Sequence, residues 1–389
     1  MSLLLFGIRQ YLSTYLCPIS NLLYSGIICN ATQKYNVSLA GLSLIQEGVE
    51  NSTRASHGNN PLSSSTASRQ IDNLPREATT VSSKIMHKEY FTTNDGCKIT
   101  FQSSLPLKEV AGVAAEKCVL LMHGFSGSSD YFIRNFTSLS KSLWVVAPDM
   151  RGHGDSSQPR GGYHVARLAA DLSGLVAHIR KTASVSIVPV GCSIGAAVLW
   201  TYVELFGCND FAGFVFVDQA PLQDRSAFDE WDETRAHTGC YDEKTMLAAQ
   251  YNWINDSKKA HIDLAIGCLG YRHAPKEEDG ISAEQQAKDE AFFTDISAKC
   301  DQTWLARLLA DHTRYDHRES IETITVPVLV MAGRRSSCFP LEGMLESVRR
   351  VEKSRPGLAR SSVFDSGHWL FYEEPERFNK EIAEFVNSC

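Results

Sequence analysis

From residue 85 onward, apolar and polar positions come in blocks whose period keeps changing. His87 to Thr93 and Lys98 to Ser104 are short alternating runs on either side of Asn94-Asp95-Gly96, the pattern of a two-stranded hairpin. Val119 to Met122, Leu143 to Ala147, Val185 to Val190, Phe214 to Val217 and Val326 to Met331 are continuous apolar runs, as strands buried on both faces should be. Ser361 to Phe364 is a weaker sixth. Between the runs, Val165 to Ile179 carries Leu168, Leu172, Leu175, Val176 and Ile179 at one-face helical spacing. Ala196 to Phe206 follows a strand directly, and Pro375 to Val386 puts Phe378, Ile382 and Phe385 on one face behind an N-terminal proline. Strands alternating with helices predict an α/β fold, a mostly parallel, doubly wound sheet covered on both sides.

Two stretches fall outside that rhythm. Pro221 to Ile324 is charged and helix-prone and carries Trp231, Trp253 and Trp304, which predicts a helical cap inserted over the sheet's edge. At the other end, no Asp or Glu precedes Glu47, and Arg9 and Lys34 are the only charges before it. The uncharged stretch between them contains Pro18 and several Ser, Thr and Asn residues, so it makes a poor membrane-spanning helix and no firm span is expected. Its acid-poor, Ser-rich composition fits an organelle-targeting segment as well as it fits a dispensable tail. Residues 51–82 read as a flexible polar linker. The expected organisation is an extension over 1–82, a core made of 83–220 with 325–389, and a cap over 221–324.

Composition narrows the function classes. With 43% hydrophobic and 21% charged residues the chain can bury a sizeable core. Lys plus Arg number 38 against 45 Asp plus Glu, so there is no basic footprint for nucleic acid. The eleven cysteines include no C-x-x-C pair, which removes support for zinc and thioredoxin-like readings and fits buried thiols in a reducing, intracellular compartment.

The chemistry gathers at the ends of the apolar runs. Gly191-Cys192-Ser193-Ile194-Gly195 ends one strand and opens a helix, the setting of a G-x-S-x-G nucleophile elbow, so Ser193 is the candidate nucleophile. His123-Gly124-Phe125 ends another strand, and the Phe125 and Ile194 amides are candidate oxyanion donors. His368, between the last strand and the last helix, is the candidate base, because loops at strand C-termini converge on one edge. The acid has two candidates. Asp218 ends the strand after that of Ser193, while Glu342 follows Ala332-Gly333-Arg334-Arg335-Ser336 and Pro340. Chain order and strand-end placement favour Asp218, whose alternative use is to cap a turn. Arg151, His153 and Asp155, in the Gly-rich run Asp149 to Ser156, read as packing and local pairing devices rather than a site.

Taken together, Leu121-Met122-His123-Gly124-Phe125, Asp149 to Ser156, the Ser193 elbow and Gly367-His368-Trp369-Leu370 before Glu374-Pro375 resemble the α/β-hydrolase superfamily over about residues 85 to 388. The family usually carries its acid after the strand that here ends at Gly333, where this chain has Ser336. Some members, including haloalkane dehalogenases and fungal zearalenone lactonases, carry it one strand earlier, where Asp218 stands. The stretch from Val217 to Pro221 is also similar to cofactor-free haloperoxidase-type esterases and fungal secondary-metabolism hydrolases. A serine nucleophile excludes the dehalogenase and epoxide-hydrolase chemistries of the family, which use Asp. The resemblance therefore implies a hydrolase of esters, thioesters or lactones with a small apolar acyl or ring substrate. It would need no metal or cofactor and would act as a monomer or homodimer. Two other readings use the same residues: acyl transfer to a bound alcohol, amine or thiol, and a receptor pocket that turns over slowly or not at all.

Overall fold

The computed structural model describes residues 86–110, 117–223 and 241–389. The N-terminal extension, its linker, Trp231, and the part of the expected cap at 224–240 lie outside the described residues.

Eight strands form one sheet: β1 (His87–Thr92), β2 (Lys98–Ser103), β3 (Lys117–Met122), β4 (Trp144–Pro148), β5 (Ser186–Cys192), β6 (Phe214–Val217), β7 (Val328–Gly333) and β8 (Ala359–Phe364). Their order is β1-β2-β4-β3-β5-β6-β7-β8, with β1–β2 and β2–β4 antiparallel and every later pairing parallel. The hairpin turn closes on itself. Thr93 N–H donates to Cys97 O at 2.9 Å, and Cys97 N–H donates to Thr93 Oγ1 at 3.0 Å. β7 starts at Val328 rather than Val326. Pro327 has no N–H to donate to the ladder, although its carbonyl still accepts from Phe214 N at 2.9 Å.

Side-chain alternation in the central strands divides the core. Leu120 and Met122 of β3 face α1 (Val165–Arg180) and α2 (Ile194–Phe206), meeting Leu168, Leu172, Val198 and Trp200. Val119 and Leu121 face the opposite layer, where Phe378, Ile382 and Phe385 of the C-terminal helix Pro375–Ser388 pack with Phe136 and Phe371. Each of these large side chains is worth roughly 1.5–3 kcal/mol when fully buried, so the doubly covered sheet is the main store of stability.

Between β6 and β7 the described chain is helical: α3 (Glu243–Asn255), α4 (Ser257–Cys268), α5 (Ala283–Ser297) and α6 (Gln302–Arg314), with shorter turns between. Two observations fix α4 to the sheet edge. The Cys268 carbonyl accepts from His368 N at 2.9 Å, and half-buried Glu373 accepts from Gly270 N and Gly367 N at 3.0 and 2.9 Å.

The Asp149 to Ser156 loop is a structural knot. The fully buried Arg151 guanidinium pairs with Asp171 on α1, at 2.5 Å from Nε, and with Asp95 of the hairpin turn, at 2.9 Å from Nη1. The expected pairing partner was a local one. The actual partners lie on two other elements, because the loop's own carboxylates are engaged elsewhere, Asp149 with backbone amides and Asp155 with Lys88, and a buried guanidinium must still be paired. Asp149 in turn accepts from Ser129 N at 2.7 Å and Asp155 N at 2.8 Å.

Candidate active site

The parallel register brings the strand ends level. Met122 of β3 pairs with Gly191 of β5, Cys192 with Val217 of β6, and Gly333 of β7 with Phe364 of β8. The residues that follow these ends all emerge on one edge, which is where a parallel sheet binds ligands.

Ser193 sits between β5 and α2 with φ 54° and ψ −125°, a conformation that side chains other than glycine rarely hold. Its N–H donates to Val217 O at 2.8 Å, and its carbonyl accepts from Ala196 N at 2.8 Å, so the strain is pinned from both sides. The two motif glycines make room for it. A Cβ at 191 would lie 2.6 Å from Ala196 N and from the Gly195 carbonyl, and one at 195 would lie 2.8 Å from Met122 O. Gly124, after β3, lies directly against the serine: a Cβ there would be 3.2 Å from Ser193 Cβ. The Phe125 and Ile194 amides flank this contact, and among the described residues no other group takes up either N–H.

Asp218 is fully buried just past β6, also at positive φ (48°), with its N–H donating to Met331 O at 2.8 Å. Its Oδ1 lies 2.5 Å from His368 Nδ1 and accepts from Ser336 Oγ at 2.7 Å; its Oδ2 accepts from Gly333 N at 2.7 Å. Burial pushes this carboxyl up, while His368, Ser336 and the Gly333 amide pull it down. Glu342 is placed elsewhere. It is exposed on the helix Leu341–Ser354 and pairs with Arg349 at 3.0 Å.

With Nδ1 committed to Asp218, the other ring nitrogen of His368 is left for the cleft. Cys338 hydrogen-bonds the His368 side chain, and Cys268 Sγ lies 3.9 Å from Cys338 Sγ. Burial alone would lower the imidazole pKa, but Cys338 and Asp218 outweigh it and raise the value above that of an ordinary histidine. Cys338 is drawn below the usual thiol value by the Cys268 thiol and by His368. Ser193 Oγ makes no hydrogen bond to His368 in this arrangement. Contacts of that kind are often long in an unliganded site and tighten with substrate.

Ser193 and His368 line one cavity of about 80 Å³ with Phe125, Leu264, Phe339 and Trp369. Two of the tryptophans of the inserted stretch are described, and they take different places. Trp253 packs edge-on behind Phe125 at 5.4 Å, and Trp304 stacks on Tyr163 at 4.7 Å. Among the described residues, the indole at the cleft is Trp369, directly after the candidate base. His312 also reaches the cleft from α6, where Gln223 contacts its Nε2. His123 does not: its Nε2 accepts from Met150 N at 2.9 Å, inside the core. Sequence reasoning passed over Cys338, Cys268 and His312. Cys338 had a usable signal, its place in the loop after β7 where a carboxylate was sought. Cys268 and His312, on inserted helices, had none.

Comparison with known proteins bears on the fold. A family model described as the α/β hydrolase fold matches residues 117–375. Epoxide hydrolase A of Mycobacterium tuberculosis is 36% identical over 306 residues, covering 71% of this chain and 92% of its own. The 2-(acetamidomethylene)succinate hydrolase of Mesorhizobium japonicum is 26% identical over 271 residues, covering 69% and 88%. Among solved structures, a bromoperoxidase from Bacillus anthracis superposes with a TM-score of 0.65 at 19% identity, covering 77% of this chain and all of that one.

Proposed function

The chain belongs to the α/β-hydrolase fold family, and from that premise we propose that it is a serine hydrolase that cleaves a carboxylic ester, thioester or lactone through an acyl-enzyme. The observation that carries this reading is the 2.5 Å contact between His368 Nδ1 and Asp218 Oδ1, at the foot of the cleft that Ser193 also lines.

In this mechanism Ser193 Oγ attacks the substrate carbonyl while His368 accepts its proton. Asp218 holds the imidazole with Nδ1 protonated, so that the other nitrogen is free to act as base, and stabilises the imidazolium that forms. The Phe125 and Ile194 amides receive the charge that develops on the carbonyl oxygen. His368 then returns the proton to the leaving group and activates water for deacylation. Every step uses groups of this chain. The apolar lining from Phe125, Leu264, Phe339 and Trp369 suits an apolar acyl or ring substrate, and the helices between β6 and β7 act as the cap over it.

The 36% identical relative carries the name of an epoxide hydrolase. Epoxide opening in this superfamily uses a carboxylate nucleophile, and the elbow here offers Ser193 instead. This favours acyl chemistry. The test is labelling of the full chain with a fluorophosphonate probe, beside a panel of p-nitrophenyl esters and lactones. Ser193→Ala should abolish both labelling and turnover. Labelling that survives the substitution would overturn the assignment.

A further inference from the structure

The contact between Cys338 and the candidate base is more than ordinary packing requires. Among the described residues, Cys268, Cys338 and His368 each offer one donor atom, and the three lie within 4.8 Å of one another. Cys268 is contributed by the end of α4, Cys338 by the loop after β7 and His368 by the loop after β8, so three separate elements converge on one point. None of the described cysteines forms a disulfide.

We propose that Cys268, Cys338 and His368 form a Zn²⁺ site at the foot of the cleft whose occupation blocks His368 and switches catalysis off. Binding rests on the geometry alone; the inhibitory consequence rests on reading His368 as the base.

Three features support a soft divalent cation there. The first is spacing. Two thiolates bound to one tetrahedral zinc, each at about 2.3 Å, are separated by ~3.8 Å, and the two sulfurs here are 3.9 Å apart. That separation already matches the edge of a zinc tetrahedron. With all three donor atoms within 4.8 Å of one another, a metal would need to draw the imidazole in by at most about an ångström to reach the ~3.6 Å expected of a sulfur–nitrogen edge. The second is the outer shell. A zinc-bound histidine almost always gives its other ring nitrogen to a carboxylate, which fixes the tautomer that presents the bare nitrogen to the metal. Asp218 holds His368 Nδ1 in this way at 2.5 Å. The third is access. Cys268, Cys338 and His368 all line the cavity, so the ion has an entry path.

Chemically, each thiol gives up its proton to solvent as its sulfur–zinc bond forms, and the imidazole binds as the neutral base. Zinc keeps its oxidation state and no oxidant is involved. With its lone pair on the metal, His368 cannot take the Ser193 proton. Thiolate with imidazole is also the donor set that selects zinc over magnesium or calcium.

The experiment uses the full chain freed of metal by chelator and titrated with Co²⁺ as a spectroscopic stand-in, then with Zn²⁺ in competition. The expected result is one equivalent of tetrahedral Co²⁺ with thiolate charge-transfer absorption, displaced by Zn²⁺. Cys338→Ser and Cys268→Ser should each weaken Zn²⁺ binding by about 10–100-fold or more, since even a supporting group is worth that much. In parallel, Zn²⁺ should slow fluorophosphonate labelling of Ser193, and chelator should restore it. Each variant is scored against its own zinc-free rate and should lose this sensitivity. Absence of the thiolate band, or a band unchanged in both variants, overturns the site. So does a preparation in which both thiols are already consumed as a disulfide that reductant must open. If cobalt binds as expected but no probe labels Ser193, the metal site stands and the serine-hydrolase reading falls. If labelling proceeds at full rate with zinc bound, the inhibitory role falls.

Discussion

Ser336 Oγ donates a 2.7 Å hydrogen bond to Asp218 Oδ1, the oxygen that also lies 2.5 Å from His368 Nδ1. The residue standing where the family's usual acid would be therefore has a job: it holds Asp218, the proposed acid, at the end of the neighbouring strand. Ser336→Ala would leave Asp218 with His368 and the Gly333 amide, and a hydrogen bond to a charged group is worth about 1.5–3 kcal/mol, so turnover should fall by about tenfold or more. The more telling variant is the swap. The loops after β6 and β7 converge on the same imidazole, so Ser336→Asp in an Asp218→Asn background should recover at least about tenfold of the turnover lost by Asp218→Asn alone. Ester assays on the three variants check this. A double variant no faster than Asp218→Asn would mean that the loop after β7 cannot present a carboxylate to His368.

Asp218 and Glu342 can be ranked directly. Asp218 is fully buried against His368, whereas Glu342 is exposed and paired with Arg349. Removing the acid leaves the imidazole in the wrong tautomer, which in a serine protease costs about 10⁴ in turnover. Asp218→Asn should therefore cut turnover by about 10³ or more, with the fold retained. Glu342→Gln should cost less than about tenfold, as expected outside a catalytic hydrogen bond. Steady-state kinetics with one p-nitrophenyl ester distinguishes the two, and the reverse ranking would remove Asp218 from the mechanism.

The strained elbow predicts its own fragility. A Cβ at position 191 would meet backbone atoms of residues 195 and 196 at 2.6 Å, and backbone cannot rotate aside as a side chain can. Gly191→Ala should destabilise by about 1–3 kcal/mol or more and displace Ser193, so that probe labelling drops together with the thermal midpoint. Gly161→Ala, where a Cβ meets nothing within 4 Å, is the control and should change neither. Equal effects from both would contradict the packing argument.

How far the sequence revealed this arrangement depended on how local each signal was. The strand–helix rhythm, the Ser193 turn and the His368 loop are short segments whose periodicity or glycine spacing announces them. β1 and β2 matched the alternating runs to within a residue. What could not be read is what the fold assembles from distant pieces. Arg151 recruits Asp95 and Asp171 from other elements, and among the described residues the indole at the cleft is Trp369. The Cys268–Cys338 contact spans 70 positions, from the end of α4 to the loop after β7, so no window of sequence contains it. Ser336 is an intermediate case. Its departure from the family pattern was visible, but its bond to Asp218 requires that two neighbouring strands end level.

Glu373 makes stability pH-dependent in a direction opposite to that of most paired carboxylates. Its side chain lies between the end of α4 and the His368 loop, accepting from Gly270 N and Gly367 N. Burial is the largest influence and raises its pKa from the ordinary 4.5 to about 7, with the backbone donors and Arg335 opposing. A carboxyl whose folded value exceeds its unfolded one binds a proton more tightly in the native state. Its contribution is complete below about 4.5 and is lost as pH rises through about 7. The thermal midpoint should therefore decline between about pH 5 and pH 8. Glu373→Gln, which keeps one acceptor oxygen and cannot ionise, should flatten that decline while lowering stability at pH 5 through the loss of one acceptor. Thermal melts of both proteins across this range check it. A midpoint that rises with pH in the native chain, or a slope unchanged by Glu373→Gln, would show that another group governs the contact between α4 and the His368 loop.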